Sequence, residues 1–505
     1  MTKRDFPKIH FYDQDFVEIY DKTWAWIADF WNNCSEKIAA IPAEKRMLSP
    51  DEGKSEKRIS GRFFSHPGSP VVLQSDAIFA SFFLVYSNRI YQANPTIDIF
   101  YDRQEANGAI RSMYSIETGL AVMENADNPE SIGLPLFAWA EFNLYHKSAN
   151  KKRIKEVVPK INKYVTWIDS LYKCDNGLYA VPLSATGMTN APWGDTVYPV
   201  DFNTMMAINA LYMSALSDIL NDRDLGIRYK RQYFALKYCI NQKMWDPKTG
   251  FYYNLDKDEN WVPIKTIAGY WPLLAEISNE DKAEQLVRKL QDPRVFGSPH
   301  PFPSVALDEV SFDKNGNGFR GSVFPYLTFM VIKGLERYNR HDLARECAIR
   351  HLYFILDSMI PEGSPHNGHH NGIPHKGRLW EAYLPLEEGP ALGIDQADFP
   401  REQYLSYDAL STICLMIENI VGLSISLPRK TVDWTIPNME VMGIENLSLK
   451  KNMITILSNK SGNRGWEIYA ESEKLYYFTI NILDKKKKTL PIPSGKCSML
   501  IDKLL

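Results

Sequence analysis

The feature that most limits the fold of this sequence is a long succession of apolar patterns at helical spacing, joined in pairs by short polar links. Apolar side chains recur every three to four positions, which is the period of an amphipathic helix. The sequence therefore predicts a mainly α protein built from helical hairpins. We expect helices at 15–38, 75–91, 134–146, 154–172, 201–220, 225–244, 280–290, 322–338, 341–359 and 407–421.

Long loops separate the predicted hairpins, at 61–74, 184–200, 296–319 and 361–404. Loops of this length without structure of their own are usually either functional or disordered. Their content of Trp, Phe, Pro and carboxylates argues against disorder. If the helices pair as hairpins, these loops gather at one end, which favours a toroid of hairpins around a central cleft.

The character of the chain changes after about residue 424. Runs at 453–457 and 475–482 are rich in branched and aromatic residues, and turn-forming residues separate them, as expected for β-strands. We therefore expect two domains. Residues 1–428 form the helical part, with a helical segment at 1–60 packed on it, and residues 429–505 form a small β-sandwich-like module.

Composition excludes several classes of function. The formal net charge of −3 gives no basic surface for nucleic acid. The sequence contains no apolar run of 18 or more residues, so we expect no membrane insertion. The six cysteines are scattered without zinc spacing, and we expect neither a metal nor a cofactor. No signal peptide is visible in this numbering, and the compartment and the oligomeric state stay open.

One carboxylate stands out in the last long loop. Glu381 lies between Trp380 and Tyr383, after a turn-rich run that carries four histidines, His366, His369, His370 and His375. Aromatic faces pack on the C–H faces of a sugar ring, so a carboxylate between aromatics suits carbohydrate chemistry. The alternative is that Glu381 caps a helix or pairs with Arg378. For the histidines, structural or substrate-binding roles are favoured over metal binding, because no helix fixes an i, i+4 pair.

Five segments in chain order carry a family resemblance: SDAIF at 75–79, FYDRQEANGAI at 100–110, LPLFAW at 134–139, GFRGSVFP at 318–325 and RLWEAY at 378–383. Together they resemble the six-hairpin glycosidases, the clan of mannosylglycerate hydrolase, glycoside hydrolase family 63 and trehalase. The resemblance covers about residues 60–425. It implies an (α/α)6 barrel and a carbohydrate substrate.

The resemblance also implies roles for individual residues. The Glu of the matching "TLWExY" motif serves that group as general base, which assigns this role to Glu381. The residues that the resemblance and the surrounding loops assign to substrate binding are Arg320, Trp193, Trp380, Tyr383, Asp76 and Gln104. For Arg320, a salt bridge to Asp76 or Glu381 is the alternative.

The chain departs from the family at the expected general acid. The family's "GMDNSP" loop corresponds to GMTNAP at 187–192, with Thr189 in the place of the acidic aspartate. A threonine hydroxyl does not protonate a leaving group at neutral pH. Asp195 is the nearest replacement, and a loop brace or helix cap is its equal alternative. Asp201 is better interpreted as a helix cap.

Three functions remain open on the sequence. The first is an inverting glycoside hydrolase that cleaves a terminal bond, with Glu381 as base and Asp195 as acid. The second is a polysaccharide lyase acting on a uronate-containing glycan. The third is a glycan-binding relative that has lost its acid. The sugar and the linkage are not specified by the sequence.

Overall fold

The structure, a computed structural model, describes residues 6–33, 58–66, 69–87, 90–123, 125–359, 377–393, 399–436, 440–450, 452–461, 465–482 and 486–502. It is mainly helical, with a C-terminal region of sheets. The helices are α1 Gln14–Asn33, α2 Gln74–Leu84, α3 Ala93–Asp102, α4 Phe137–Ser148, α5 Lys151–Tyr172, α6 Val200–Leu220, α7 Arg223–Cys239, α8 Trp271–Leu274, α9 Glu280–Gln291, α10 Pro325–Arg337, α11 His341–Met359 and α12 Leu405–Ala409. Two π-helical segments, Ile240–Met244 and Leu410–Ile420, continue α7 and α12.

Local chemistry explains the tight α6–α7 hairpin. Asn221 ends α6 with a left-handed φ of 61°, a conformation that asparagine tolerates better than most residues. The next residue, Asp222, caps the N-terminus of α7, and its carboxylate accepts the backbone N–H of Leu225 at 3.1 Å. This bond satisfies one of the donors that the first turn of a helix leaves unpaired. Two adjacent residues therefore reverse the chain, as the short polar link predicts.

Six helical segments form a series in which each contacts the next. α2 contacts α4, α4 contacts α6, α6 contacts α8, α8 contacts α10, α10 contacts Leu410–Ile420, and that segment contacts α2 again. The other helices pack on members of this series, with α3 on α2, α5 on α4 and α6, α7 on α6, and α11 on α10. α6 and α10 are buried on nearly all sides, as expected for helices that others cover.

In the part of the chain that the structure describes, the strands form two larger sheets and three two-stranded ribbons. The strands are β1 Lys8–His10, β2 Val71–Leu73, β3 Met113–Ser115, β4 Trp245–Asp246, β5 Phe251–Tyr252, β6 Asn254–Leu255, β7 Trp261–Val262, β8 Leu423–Ser426, β9 Thr431–Ile436, β10 Met442–Leu449, β11 Asn452–Ser461, β12 Gly465–Ser472, β13 Tyr476–Ile482, β14 Lys486–Ile492 and β15 Gly495–Asp502. One sheet has the order β1-β10-β11-β12-β15 and the other β14-β13-β9-β8.

The first strand lies where the sequence did not place it. Residues 1–60 were expected to pack as a helical segment on the helices, but Lys8–His10 pairs antiparallel with β10, with Ile9 opposite Ile444. Both isoleucines are buried. A contiguous apolar core extends from the helices into both sheets, where Trp434 donates its indole N–H to the carbonyl of Val421 at 2.7 Å.

No helix in the described part of the chain combines the length and the apolar character that crossing a bilayer requires.

Candidate active site

A cavity of about 690 Å³ lies where the N-terminal ends of several helices meet. Its walls come from the start of α2, the turns before α4 and α6, the start of α10 and the start of α12. The residues used below that line it are Gln74, Thr189, Asn190, Phe319, Tyr326, Glu381, Arg401, Tyr404 and Tyr407. Its size falls within the usual range of small-molecule sites.

Glu381 lies in the wall of this cavity and is paired with Arg401. The guanidinium donates from Nε to Oε2 at 2.8 Å and from Nη2 to Oε1 at 2.6 Å, and the backbone N–H of Arg401 donates to Oε2 at 3.2 Å. The side chain of Glu381 is 9% exposed and that of Arg401 is 40% exposed. A bidentate pair of this kind fixes the plane of the carboxylate. Arg378, the alternative partner, is paired with Glu402 instead.

Asp76 and Tyr404 support this pair from behind. The Tyr404 hydroxyl donates to the Asp76 carboxylate and lies 2.8 Å from each oxygen. The Arg401 guanidinium stacks on the Tyr404 ring, 3.9 Å from its centroid. Burial raises the pKa of Asp76 to about 6, against the opposing effects of Arg401 and Tyr404. Asp76 is not among the residues that line the cavity, so its place is one layer behind Glu381.

Trp380 and Tyr383, the aromatics on either side of Glu381, hold the loop together. Tyr383 is fully buried, accepts the backbone N–H of Trp380 at 3.0 Å, and donates to Asp408 at 3.1 Å. Neither ring lines the cavity. The aromatic rings that do line it are contributed by other segments, including Phe319 and Tyr326.

Arg320 lies on the exposed side of the loop before α10. Its Nε donates to the carbonyl of Asn190 at 3.3 Å. The Asn190 side chain also bridges the two loops, because it accepts the N–H of Phe319 at 2.8 Å and donates to the carbonyl of Asn317 at 3.0 Å. Within the described ranges, Arg320 forms no salt bridge with Asp76 or Glu381, which are bonded to Tyr404 and Arg401 respectively.

Thr189 and Asp195 differ in their relation to the cavity. Thr189 lines it, at the position that the family resemblance assigns to the general acid. Asp195 is exposed on the following loop and is not a lining residue. Trp193 is partly buried beside it and likewise lies outside the lining. Among the described residues that line the cavity, Glu381 is the single carboxylate.

Gln104 lies apart from the cavity. Its amide nitrogen donates to the carbonyls of Gly108 and Lys160 at 3.0 and 2.8 Å. These bonds connect the turn after α3 to α5.

Two further buried acids lie near the wall. Burial raises the pKa of Asp201 to about 7, against hydrogen bonds from Phe202 and Thr186. Its Oδ1 accepts the N–H of Phe202 at 2.7 Å at the start of α6. Burial also raises the pKa of Asp408 well above its usual range. Neither acid is a lining residue.

Arg401, Tyr404 and Asn190 were not identified from the sequence. Nothing in the pattern of the 361–404 loop distinguishes Arg401 from Arg378, which is closer to Glu381 in sequence. The four histidines of that loop, His366, His369, His370 and His375, lie outside the described residues. Within the described ranges, no group of three His, Cys, Asp or Glu side chains is arranged to hold a metal ion.

Comparison with known proteins gives two family matches. A model described as "Mannosylglycerate hydrolase MGH1-like glycoside hydrolase domain" matches residues 73–355, more than half of the chain. A model described as "Trehalase, C-terminal domain" matches residues 422–504. These matches confirm the resemblance to the six-hairpin glycosidases.

The chain is also similar to individual proteins. An "Uncharacterized protein" of Borreliella burgdorferi is 49% identical over 505 residues, which is 100% of both chains. The cytosolic neutral trehalase of Kluyveromyces lactis is 25% identical over 130 residues, 25% of this chain and 17% of that protein. The family 63 mannosylglycerate hydrolase of Thermus thermophilus, solved in complex with glucose, aligns with a TM-score of 0.58 at 16% identity. That alignment covers 78% of this chain and 99% of the other, and it shows the fold alone.

Of the three functions left open by the sequence, these matches support hydrolysis. The chain belongs to the family of MGH1-like glycoside hydrolases, and it is a glycoside hydrolase of open specificity.

Proposed function

We propose that this glycoside hydrolase cleaves a terminal glycosidic bond of an oligosaccharide or glycoside with inversion, and that Glu381 is its general base. The observation that carries the proposal is that Glu381 is the one carboxylate, among the described residues, in the wall of the large cavity. Arg401 holds it in a fixed orientation.

We also propose that the helical part is an (α/α)6 toroid, with a small β module from about residue 429. The series of contacts from α2 through α4, α6, α8, α10 and Leu410–Ile420 back to α2 supports a closed ring. In such a ring the inner helices share one direction, so their N-terminal ends meet. The position of the cavity at those ends fits this arrangement.

The hydrogen bonds of Glu381 define which oxygen would act. An ionised carboxylate has about four lone-pair sites, two on each oxygen. Arg401 occupies both sites of Oε2 and one site of Oε1. The remaining site on Oε1 is available to a water. In the proposed step, Oε1 removes a proton from that water as its oxygen bonds to the anomeric carbon, while the bond to the leaving oxygen breaks.

The leaving oxygen needs a proton from a second group. Inverting enzymes place their two carboxyl groups roughly 6.5–9.5 Å apart, to leave room for the water. Asp195 remains our proposal for this acid, on the sequence alone. Its exposed position, six residues after Thr189, requires the leaving group to extend out of the cavity toward that loop.

The base assignment is tested with Glu381→Gln. We expect kcat to fall on the order of 10²- to 10⁴-fold, the usual contribution of general base catalysis. The melting temperature should change by only a few degrees, because Arg401 is partly exposed and stays hydrated. Turnover is measured on trehalose, mannosylglycerate and aryl α- and β-glycosides, and NMR identifies the anomer first released.

The matched control is Glu402→Gln, which removes a neighbouring carboxylate that pairs with Arg378 outside the cavity lining. It should keep kcat within about threefold of the unaltered enzyme. Equal loss of activity in both variants, or retention of the substrate's anomeric configuration in the first product, would overturn the proposal. Binding without turnover in the unaltered protein would identify a glycan-binding relative.

The acid assignment is tested with Asp195→Asn. A general acid matters most when the leaving group is poor. We therefore expect natural disaccharides to be cleaved at least about 100-fold more slowly, while nitrophenyl glycosides lose much less. If both substrate classes slow equally, or if neither changes, Asp195 is not the acid.

A further inference from the structure

A second cavity, of about 490 Å³, lies at the other ends of the same helices. Phe82 near the end of α2, Phe329 in α10 and Glu418 in the Leu410–Ile420 segment belong to its wall. Strands β8, β9 and β13 close it on the remaining side. In the part of the chain that the structure describes, no residue lines both cavities. The second cavity is therefore a separate site.

The sheet side of this cavity is a polar surface. Along β9, Val432, Trp434 and Ile436 are buried in the core, so the alternate residues Asp433 and Thr435 project from the other face. The antiparallel register places Ser424 of β8 opposite Asp433. The parallel register places Asn481 of β13 opposite Thr435.

These polar side chains face the cavity. In the described ranges, the side chains of Ser424, Asp433, Thr435 and Asn481 have no hydrogen-bond or ion-pair partner, and all four line the cavity. A carboxylate, an amide and two hydroxyls offer both donors and acceptors. Three neighbouring strands thus hold a row of groups suited to a ligand rich in hydroxyls.

The helical side of the cavity is aromatic. Trp139 packs against Phe82 and Phe329, with ring centroids 4.6 and 6.1 Å away, and the two phenylalanine rings lie 5.4 Å apart. Phe142 is partly exposed and packs on Tyr212 at 4.9 Å. Aromatic rings present flat apolar faces that pack on the C–H faces of a sugar ring. The cavity therefore has a polar wall facing an apolar one.

The lysines and the arginine that line the cavity already have acidic partners. Lys147 and Lys333 lie 2.5 and 2.8 Å from the two oxygens of Glu418, and Lys333 also pairs with Glu336 at 2.9 Å. Arg337 pairs with Glu276 at 3.1 Å, outside the lining. Among the described residues, Lys147, Lys333 and Arg337 are thus each engaged by an acidic side chain, and none of the three is left free for an anion. Burial, with Arg429 and Lys147 nearby, lowers the pKa of His146, which is therefore neutral at pH 7.

We propose that this second cavity is a binding site for a neutral sugar. Asp433, Thr435 and Asn481 would hydrogen-bond its hydroxyls, and the aromatic helical wall would pack on its ring. The site would hold carbohydrate away from Glu381, at the junction of the helices with the sheet.

Hydrogen–deuterium exchange on the full chain locates the site. The probes are D-glucose, D-mannose and trehalose at millimolar concentrations. At least one should slow amide exchange in β9 and β13. The same protection should appear in Glu381→Gln, whose altered residue lies in the other cavity. Asp433→Ala should raise the sugar concentration needed for half of this protection about tenfold, which corresponds to loss of one hydrogen bond to a charged group.

Thr431→Ala is the matched control, because Thr431 lies on the same strand but outside the lining. It should leave the response unchanged, and Asn481→Ala is a second variant should Asp433→Ala fold poorly. The proposal fails if no sugar protects β9, or if protection is confined to the loops around Glu381. It also fails if Thr431→Ala weakens the response as much as the two cavity variants. Tighter binding of glycerate or phosphate than of the neutral sugars would overturn the neutral-ligand assignment.

Discussion

At the scale of single residues, the orientation of Glu381 depends on a chain of contacts rather than on one neighbour. Asp76 accepts from Tyr404, the Tyr404 ring carries the Arg401 guanidinium, and Arg401 fixes Glu381. Asp76 belongs to α2, whereas the other three belong to the last long loop and its end. The proposed base is therefore positioned by two segments that are far apart in sequence.

Asp201 gives a prediction about pH. Its pKa is raised to about 7 by burial, whereas an unfolded aspartate titrates near 3.9. A folded-state pKa above the unfolded value means that the protonated form is favoured by folding. The contribution of Asp201 to the free energy of unfolding is fully present below about pH 4 and is lost as the pH rises through about 7. The loss is on the order of 3 to 4 kcal/mol.

Asp201→Asn tests this, because asparagine has nearly the same shape and does not titrate. The melting temperature of the unaltered protein should fall relative to that of Asp201→Asn between pH 4 and pH 7.5, as measured by calorimetry. Asn203→Ala, a change at a buried neutral residue of the same helix, is the control and should lower the melting temperature equally across that range. Parallel curves for the unaltered protein and Asp201→Asn would contradict the prediction.

At the scale of elements, helices whose ends are marked by local sequence patterns could be predicted. Features that depend on contacts with distant parts of the chain could not. The helix predicted at 341–359 is confirmed as His341–Met359. The helix predicted from 322 begins at Pro325. Proline is favoured in the first turn of a helix because the N–H that it lacks would have no partner within the helix there. α3 was not predicted, and its Asn94-Pro95 pair is more typical of a turn than of a helix. The proline falls in the first turn, where a helix tolerates it.

The π-helical geometry of Leu410–Ile420 has no signal in the sequence, since apolar spacing there fits an ordinary helix equally well. The same limit applies to the site. The RLWEAY segment identified Glu381, but the partner of Glu381 is Arg401 rather than Arg378, and the Arg401 guanidinium packs on the Tyr404 ring. A contact that depends on the fold of a loop is not encoded in the local pattern of that loop.

At the scale of the whole molecule, the sheets and the helices share one core, and β1 connects them. Ile9 is 3% exposed and faces this core, whereas the adjacent Lys8 is exposed. Ile9→Ala should lower the free energy of unfolding by about 2–5 kcal/mol, because it removes buried methyl groups and leaves a cavity. Thermal unfolding measures the change.

Lys8→Ala is the control for this prediction, because it alters the same strand on its exposed face. It should change stability by no more than about 0.5 kcal/mol. Hydrogen exchange should also quicken in β10, the strand that β1 covers, only in Ile9→Ala. Equal effects of both substitutions would show that β1 contributes through its backbone bonds rather than through the side chain of Ile9.

The pairing of Lys8 with Glu445 also has a consequence for synthesis. A ribosome adds roughly 5–20 residues per second, so tens of seconds separate the emergence of the first strand from that of its partner. Until β10 is made, β1 has no strand to pair with. The helix α1, which follows β1 in the chain, is synthesised before most of that sheet exists. The pairing of β1 with β10 must therefore wait until Met442–Leu449 has been synthesised, and a chain interrupted before β10 would leave its first strand open to pairing with other nascent chains.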